Sequence, residues 1–400
     1  MRNFMARIDL DVRGLMFAAA AALVISYVVV LSLWFVQHGW LLDAHGQPIF
    51  TDFVAIWTSG RLALQGMALS AYDGQSLHAA EAAAIGHDIH GYLGWPYPPT
   101  FFFVAVVLGS MPYVPALLLW GFATLASYAA TVSAIARSRG AILLACAAPW
   151  AAADLSTGQN GFLTATLFGT ALLNIEKRPA LAGILLGLLT YKPQFGILIP
   201  FALVANARWR VILSASITAI TLLILSGAVF GFETIAAFMH GLPRTTQTLL
   251  VEGSVGWNKL QSIYGMTRWM GGDDFSARIL QGVVSIACLT GVCLTWRSSS
   301  RKATFPLKAA VLICATFLAT PYLFFYDFPA MAVAIAFLYR ERAFDSVEFA
   351  GIACAMAWTF AAAMFNAPLA PLCTIFILAI AARRTLQAAS PISDVALQCG

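Results

Sequence analysis

Asp52 stands in "QPIFTDFVAIWTSGRLALQG", residues 47–66, between aromatic residues just past the first long apolar run. An acid there has two readings. It caps the helix that starts at that point, as Thr51 equally could, or it is a working carboxylate whose chemistry is to accept a proton. Lys192, in "TYKPQ" between two short apolar runs, raises the matching question for a cation. A Lys beside hydrocarbon is costly unless it snorkels or pairs. Asp327 lies at the start of a late apolar run and is costly in the same way, so it either caps a helix or belongs to a site. "TGQN", Thr157–Asn160, crowds polar side chains beside Asp154 at another run's end, where helix capping is one use for them. In "GHDIH", His87 and His90 flank Asp88 at a spacing that could furnish part of a metal site. That loop reads as solvated and Gly-containing, and no metal and no cofactor is predicted.

The elements that must hold these residues are membrane helices. The chain has 400 residues, 60% hydrophobic and only 10% charged, with a mean hydropathy of +0.80. A soluble chain carries roughly 25% charged residues. Apolar runs recur from Gly14 onward, so the fold class is an all-α polytopic membrane protein forming a single integral domain over residues 1–400. The run Gly14–Val36 is too long for a signal-peptide core and reads as an uncleaved anchor. None of the seven cysteines falls in a long polar loop, so no disulfide framework is implied. The net charge of +5 follows from loop asymmetry and needs no nucleic-acid partner.

Lys and Arg mark the cytoplasmic side. They cluster at Arg2/Arg7/Arg13, Arg137/Arg139, Lys177/Arg178, Arg208/Arg210, Arg297/Arg301/Lys302, Arg340/Arg342 and Arg383/Arg384. With all of these inside, the apolar runs pair as outward and return crossings, giving about 12 spans with both termini cytoplasmic. The runs are 14–36 with a return ending near Ala136, then 141–153, 159–176, 179–191, 193–206, 209–231, 276–297, 304–320, 324–339, 347–365 and 367–384. Several are shorter than the ~20 residues a span needs, so some extend into flanking polar residues or are broken or re-entrant. Residues 97–136 are read as one span plus a half-helix, because two spans would put Arg137 and Arg139 outside. Two outer loops are large, residues 37–98 and 231–276, and together they hold all six histidines and Asp52. The first is expected to carry a moderately amphipathic interfacial helix from Asp52 and an Ala-rich helix over Gly74–Ile85. "GWPYPPTFFF" then returns to the membrane as a stiff, aromatic entry.

At this point the sequence resembles a family. "DFVAIWTSGRLALQGMALSAYD" followed by "YPPTFFF" resembles the opening of GT-C type glycosyltransferases that use polyprenyl-phosphate sugars. The likeness is to family GT87 (DUF2029), which contains mycobacterial α-1,2-mannosyltransferases. "STGQNGFLTATLFGTALL", "GILLGLLTYKPQFGILIPFAL", "NKLQSIYGMTRWMGG" and "ATPYLFFYDFPAMA" continue it in order, so that it covers about Gln47 to about Ala330. The resemblance implies a GT-C fold and inverting transfer of one sugar, mannose by default. The donor would be a polyprenyl phosphate, and the acceptor a lipid or glycan on the outer face of a bacterial-type inner membrane.

In that chemistry an acid of the first outer loop acts as general base, and the matching position is Asp52. A polyprenyl phosphate is already a good leaving group, so one base suffices; Asp73 and Asp154 are spare acids. The donor phosphate calls for cations, for which Lys192, Lys259 and Arg268 are the candidates. Lys259 and Arg268 share their stretch with Trp257, Tyr264 and Trp269, which suits sugar stacking as well as any interfacial helix. Trp57, Arg61, Tyr97, Asp154, Gln159, Asn160, Tyr326 and Asp327 are candidate sugar or acceptor contacts. Tyr326 and Asp327 stand where some relatives carry His, a departure that bears on donor and acceptor identity. The competing class is a transporter or lipid-sugar flippase. It would show internal repeats and paired broken helices with polar residues near the midplane, and no convincing repeat is present.

Overall fold

The computed structural model describes residues 2–86, 94–297 and 303–387, and the described residues are helical apart from turns and two isolated bridges. The "GHDIH" histidines lie outside them. The chain begins with α1 (Arg2–Val36), followed by the first-loop helices α2 (Asp52–Leu64) and α3 (Gly74–Ile85). The return carries a short α4 (Phe102–Gly109) and the long α5 (Tyr113–Ala136), one half-helix and one full-length helix. Then come α6 (Gly140–Ala147), α7 (Pro149–Thr157), α8 (Gly161–Asn174), α9 (Pro179–Leu188) and α10 (Ile199–Ala205). The long α11 (Trp209–Phe230) leads through α12 (Phe232–Thr246) and α13 (Ile263–Trp269) to α14 (Asp274–Trp296). The last four are α15 (Phe305–Ala319), α16 (Pro329–Glu341), α17 (Ser346–Met364) and α18 (Ala370–Gln387).

Six helices among the described residues are long and apolar enough to cross a membrane: Gly14–Val36 of α1, α5, α11, α14, α17 and α18. A seventh crossing is available if α6 and α7, which meet at 67°, count as one broken span. The remaining runs read as spans give only 14, 10, 7, 15 and 13 residues, in α8, α9, α10, α15 and α16. Their shortness has a physical counterpart. Unwound backbone at membrane depth is tolerated only where it is buried in protein or lines a cavity. α8, α15 and α16 are almost wholly interior, and Ala309–Ala319 of α15 is buried at every position. The large apolar side chains left exposed lie chiefly on the long helices, among them Val28 of α1, Ile217 and Ile224 of α11, and Ile286 of α14.

Close packing uses small residues, as helix contacts in a lipid solvent require. Gly183 and Gly187, four apart on α9, meet Ser214 and Thr218, four apart on α11; a Cβ added at Gly183 would sit 1.9 Å from Ser214 Oγ. Gly60 of α2 lies so close to α4 that an added Cβ would be 1.9 Å from the Ala105 carbonyl oxygen. α2 is thereby clamped to the return segment, which fixes the element that begins with Asp52.

α3 spans Gly74–Ile85 as its sequence implies, capped by Asp73, whose carboxylate accepts from the Ser76 N–H at 2.9 Å. Its inward face carries Leu77, Glu81 and Ile85. Glu81 is wholly buried, and neither of its oxygens has a hydrogen-bond partner. Burial pushes its carboxyl up to about 8. The folded chain therefore keeps this proton long after an unfolded chain would release it, so stability should fall as pH rises from the ordinary glutamate range toward about 8. Glu81→Gln should flatten that slope. Thermal unfolding in detergent at about pH 5 and about pH 8 checks it; equal slopes in both proteins would show the carboxyl to be ionised throughout.

Candidate active site

The short helices end in one place. α7 ends at Thr157 before the turn Gly158–Asn160, and α8 starts at Gly161. α9 runs out through Tyr191 to Lys192, and the turn Thr320–Phe328 joins α15 to α16. The opposite ends of these helices carry the basic clusters. Arg340 at the far end of α16 donates to the Ile135 carbonyl at the far end of α5. Arg208, after α10, pairs with Glu176, after α8, at 3.3 Å. α5 alone, 24 residues long, separates the two ends by about 36 Å. The cluster around Asp52 and Asp327 and the basic clusters thus occupy opposite ends of the bundle.

Asp52 is the first residue of α2, and Thr51 holds the N-cap position with extended backbone and no side-chain cap. Neither residue caps by side chain. Thr51 instead meets the Tyr113 hydroxyl at 3.1 Å. Asp52 Oδ2 accepts from Gln159 Nε2 at 2.9 Å, and Oδ1 has no hydrogen bond among the described residues. Burial pushes the Asp52 carboxyl above the usual carboxylate range; the Gln159 hydrogen bond and the charge of Lys259 pull it part of the way back.

The turn that presents Gln159 is held from three sides. Trp120 Nε1 donates to the carbonyls of Gly158 and Gln159, both at 3.1 Å. Gly158 has φ +68°, a conformation that favours glycine, and its Cα faces Phe53 and Leu117 too closely for a side chain. Asp154 is buried, and its two oxygens accept from the N–H groups of Gly161 (3.1 Å) and Phe162 (2.8 Å). That makes Asp154 the clasp at the start of α8, where a carboxylate suits the exposed N–H groups. Tyr97 completes this side, its hydroxyl donating to Gln159 Oε1 at 3.3 Å.

Across the turn lies a buried ion pair. Lys192 Nζ donates to Asp327 Oδ1, with both residues almost fully buried. Asp327 Oδ2 also accepts from the Phe324 N–H at 3.0 Å, which closes the 3-10 turn before α16. Asp327 is therefore both a turn cap and the partner of Lys192. The ammonium lies 5.3 Å from the Tyr326 ring and 5.6 Å from the Phe195 ring. The two halves of the site touch directly, for a Cβ on Gly161 would fall 1.7 Å from the Tyr326 carbonyl oxygen.

Not every candidate joins this cluster. Trp57 and Arg61 follow Asp52 by five and nine residues on α2, about 140° and 180° round the helix from it. Trp57 donates to the Met111 carbonyl at 2.9 Å, and Arg61 lies over its ring at 4.8 Å. Arg268 stacks on Trp257 at 4.2 Å and donates to the carbonyls of Val251 and Gly272, so its guanidinium braces the second loop. Lys259 is exposed on that loop, makes no hydrogen bond or ion pair with its side chain among the described residues, and still acts on Asp52 through its charge. The spare acid Asp73 is occupied as the α3 cap. Tyr191, Thr164 and Trp120 had no part in the sequence reading. The Tyr191 and Thr164 hydroxyls meet at 2.6 Å beside the turn, and Phe101 stacks on Tyr191 at 4.7 Å. Nothing in the apolar runs that contain these residues signals the role.

Residues 95–321, more than half of the chain, match the model of glycosyltransferase family 87. The match takes in Tyr97, Asp154, Gln159, Asn160, Lys192, Lys259 and Arg268; Asp52 precedes it and Asp327 follows it. No curated protein and no solved structure matches the chain.

Proposed function

This chain belongs to glycosyltransferase family 87, and from that premise we propose that it transfers one sugar from a polyprenyl phosphate to a lipid or glycan acceptor, with inversion and with Asp52 as the base. Family membership makes it an enzyme and sets aside the transporter and flippase readings. Its helices make it a multi-pass membrane protein. The observation that carries the proposal is the Asp52 carboxylate, half-buried, steadied on one oxygen by a neutral amide and open on the other.

In the proposed reaction Asp52 Oδ1 takes the proton of the acceptor hydroxyl. The acceptor oxygen bonds to the anomeric carbon as the bond from that carbon to the phosphate oxygen breaks, and the bonding pair leaves on the polyprenyl phosphate. No acid is needed for so good a leaving group, so a single base suffices. The phosphate's charge would be met by Lys192 and by Lys259. The ammonium of Lys192 has three donors, of which Asp327 takes one. Positive charge at the opposite end of the bundle supports an orientation with cytoplasmic termini and the site on the outer, periplasmic face of an inner membrane. Mannose is the first sugar to test.

The purified protein, given radiolabelled heptaprenyl-phosphate mannose, glucose or galactose and a membrane lipid extract, should transfer label from one of these donors to extractable lipid or glycan. Transfer from nucleotide sugars and from none of the lipid-linked donors would overturn the reading.

A further inference from the structure

Asn160 is wholly buried, yet neither its amide oxygen nor its amide nitrogen makes a well-formed hydrogen bond, although the Tyr97 hydroxyl, which donates to Gln159, lies beside the amide. The contrast with its own backbone is sharp. Its carbonyl accepts from the Thr164 N–H and Oγ1, both at 3.0 Å, and from the Tyr191 hydroxyl at 3.3 Å. Its place is fixed on both sides, by Gln159 reaching Asp52 and by Gly161 pressed on Tyr326. It stands at the N-cap of α8, but the side chain caps nothing, because Asp154 has taken the first N–H groups of the helix. A buried amide without a well-formed hydrogen bond on either atom is costly and needs a reason. Asn160 alone among the described residues combines an amide donor and acceptor, both without a well-formed bond, next to the residue that holds Asp52.

We infer that the Asn160 amide reads one hydroxyl of the sugar being transferred, and so sets which sugar the enzyme accepts. A hydroxyl both donates and accepts, which is the pairing that this amide lacks. The position favours the donor's sugar over the acceptor. The anomeric carbon must lie between the base and the departing phosphate. Asn160 sits between Gln159, on the Asp52 side, and the Gly161–Tyr326 contact, on the side of Lys192 and Asp327. This inference rests on the proposed transfer from a lipid phosphate, and its test separates the two.

The test compares the wild type with Asn160→Leu, which has similar volume and no polar atoms, and with Asn160→Ala. The donors are whichever of heptaprenyl-phosphate mannose, glucose and galactose the wild type turns over, and the set of its analogues each lacking one hydroxyl. The wild type should lose about 10- to 100-fold in kcat/KM on one particular deoxy donor. Asn160→Leu should lose a similar factor on the parent sugar and should no longer distinguish the parent from that analogue. Its Tm without substrate should be equal to or above that of the wild type, because only the poorly aligned contact with Tyr97 is removed, together with an amide whose burial is not compensated. A loss of equal size on the parent and every analogue, or a lowered Tm in both variants, would make Asn160 structural and overturn the inference while transfer itself stands. Absence of turnover with every lipid-linked donor would contradict the transfer reading and the inference with it.

Discussion

Asp52→Asn is expected to reduce turnover by about a hundred- to ten-thousand-fold, the range for loss of a general base, in a protein that folds and binds donor as before. Asn keeps the size of the side chain and an oxygen for the Gln159 amide to reach. The helix does not depend on this carboxylate for capping, since among the described residues it accepts from Gln159 and from no backbone N–H of α2. Loss of a negative charge from the first turn of α2 costs about 0.3–1 kcal/mol, too little to explain a hundredfold loss. The pH profile gives a second reading of the same residue. Burial raises the Asp52 carboxyl above the usual range, so activity should be full above that raised value and fall as pH drops through it. The acid limb of kcat/KM should lie higher than for an exposed aspartate. If Asp52→Asn keeps more than about a tenth of wild-type turnover, a smaller loss than the base range allows, the base is elsewhere and Asp154 is the next acid to test.

Lys192→Gln is expected to do two things that a second substitution separates. It strands the buried Asp327 carboxylate, and breaking a buried pair from one side costs about 3–5 kcal/mol. The single variant should therefore be poorly stable whatever Lys192 does for the donor. Removing both charges, in Lys192→Gln with Asp327→Asn, leaves no unpaired buried charge and should return Tm to near the wild-type value. Donor KM should stay at least about tenfold raised in the double variant, a loss of about 1.4 kcal/mol, because the cation proposed to meet the phosphate is gone. Thermal unfolding and donor titration on the three proteins check this. A double variant with wild-type KM would leave Lys192 with a structural role alone.

Much of the local architecture was legible in the sequence. Composition and the long apolar runs gave an all-helical membrane chain, and α2 and α3 begin at Asp52 and Gly74 as read. The one-span-plus-half-helix reading of residues 97–136 matches α4 and α5. Legibility ends where contacts become long-range. Gln159 meets Asp52 across 107 positions and Lys192 meets Asp327 across 135, and neither pairing leaves a local trace. Residue type alone therefore left Asp52 between cap and base, and Lys192 between snorkelling and ligand. The separation of Trp57 and Arg61 from Asp52 was available from the helical period. Both lie near Asp52 in sequence, which on a helix is not nearness in space. The five short helices were harder to read. An apolar run of a dozen residues does not distinguish a crossing from an interior helix that stops at a pocket.

The anomeric configuration of the first-formed product tests the single-base mechanism most directly. With a polyprenyl-phosphate donor of known anomeric configuration, proton NMR of the product at early time should show the opposite configuration at the transferred sugar. That follows from one displacement assisted by Asp52 with no second carboxylate as nucleophile. A product of retained configuration would require a covalent or otherwise doubled displacement and would contradict the role assigned to Asp52.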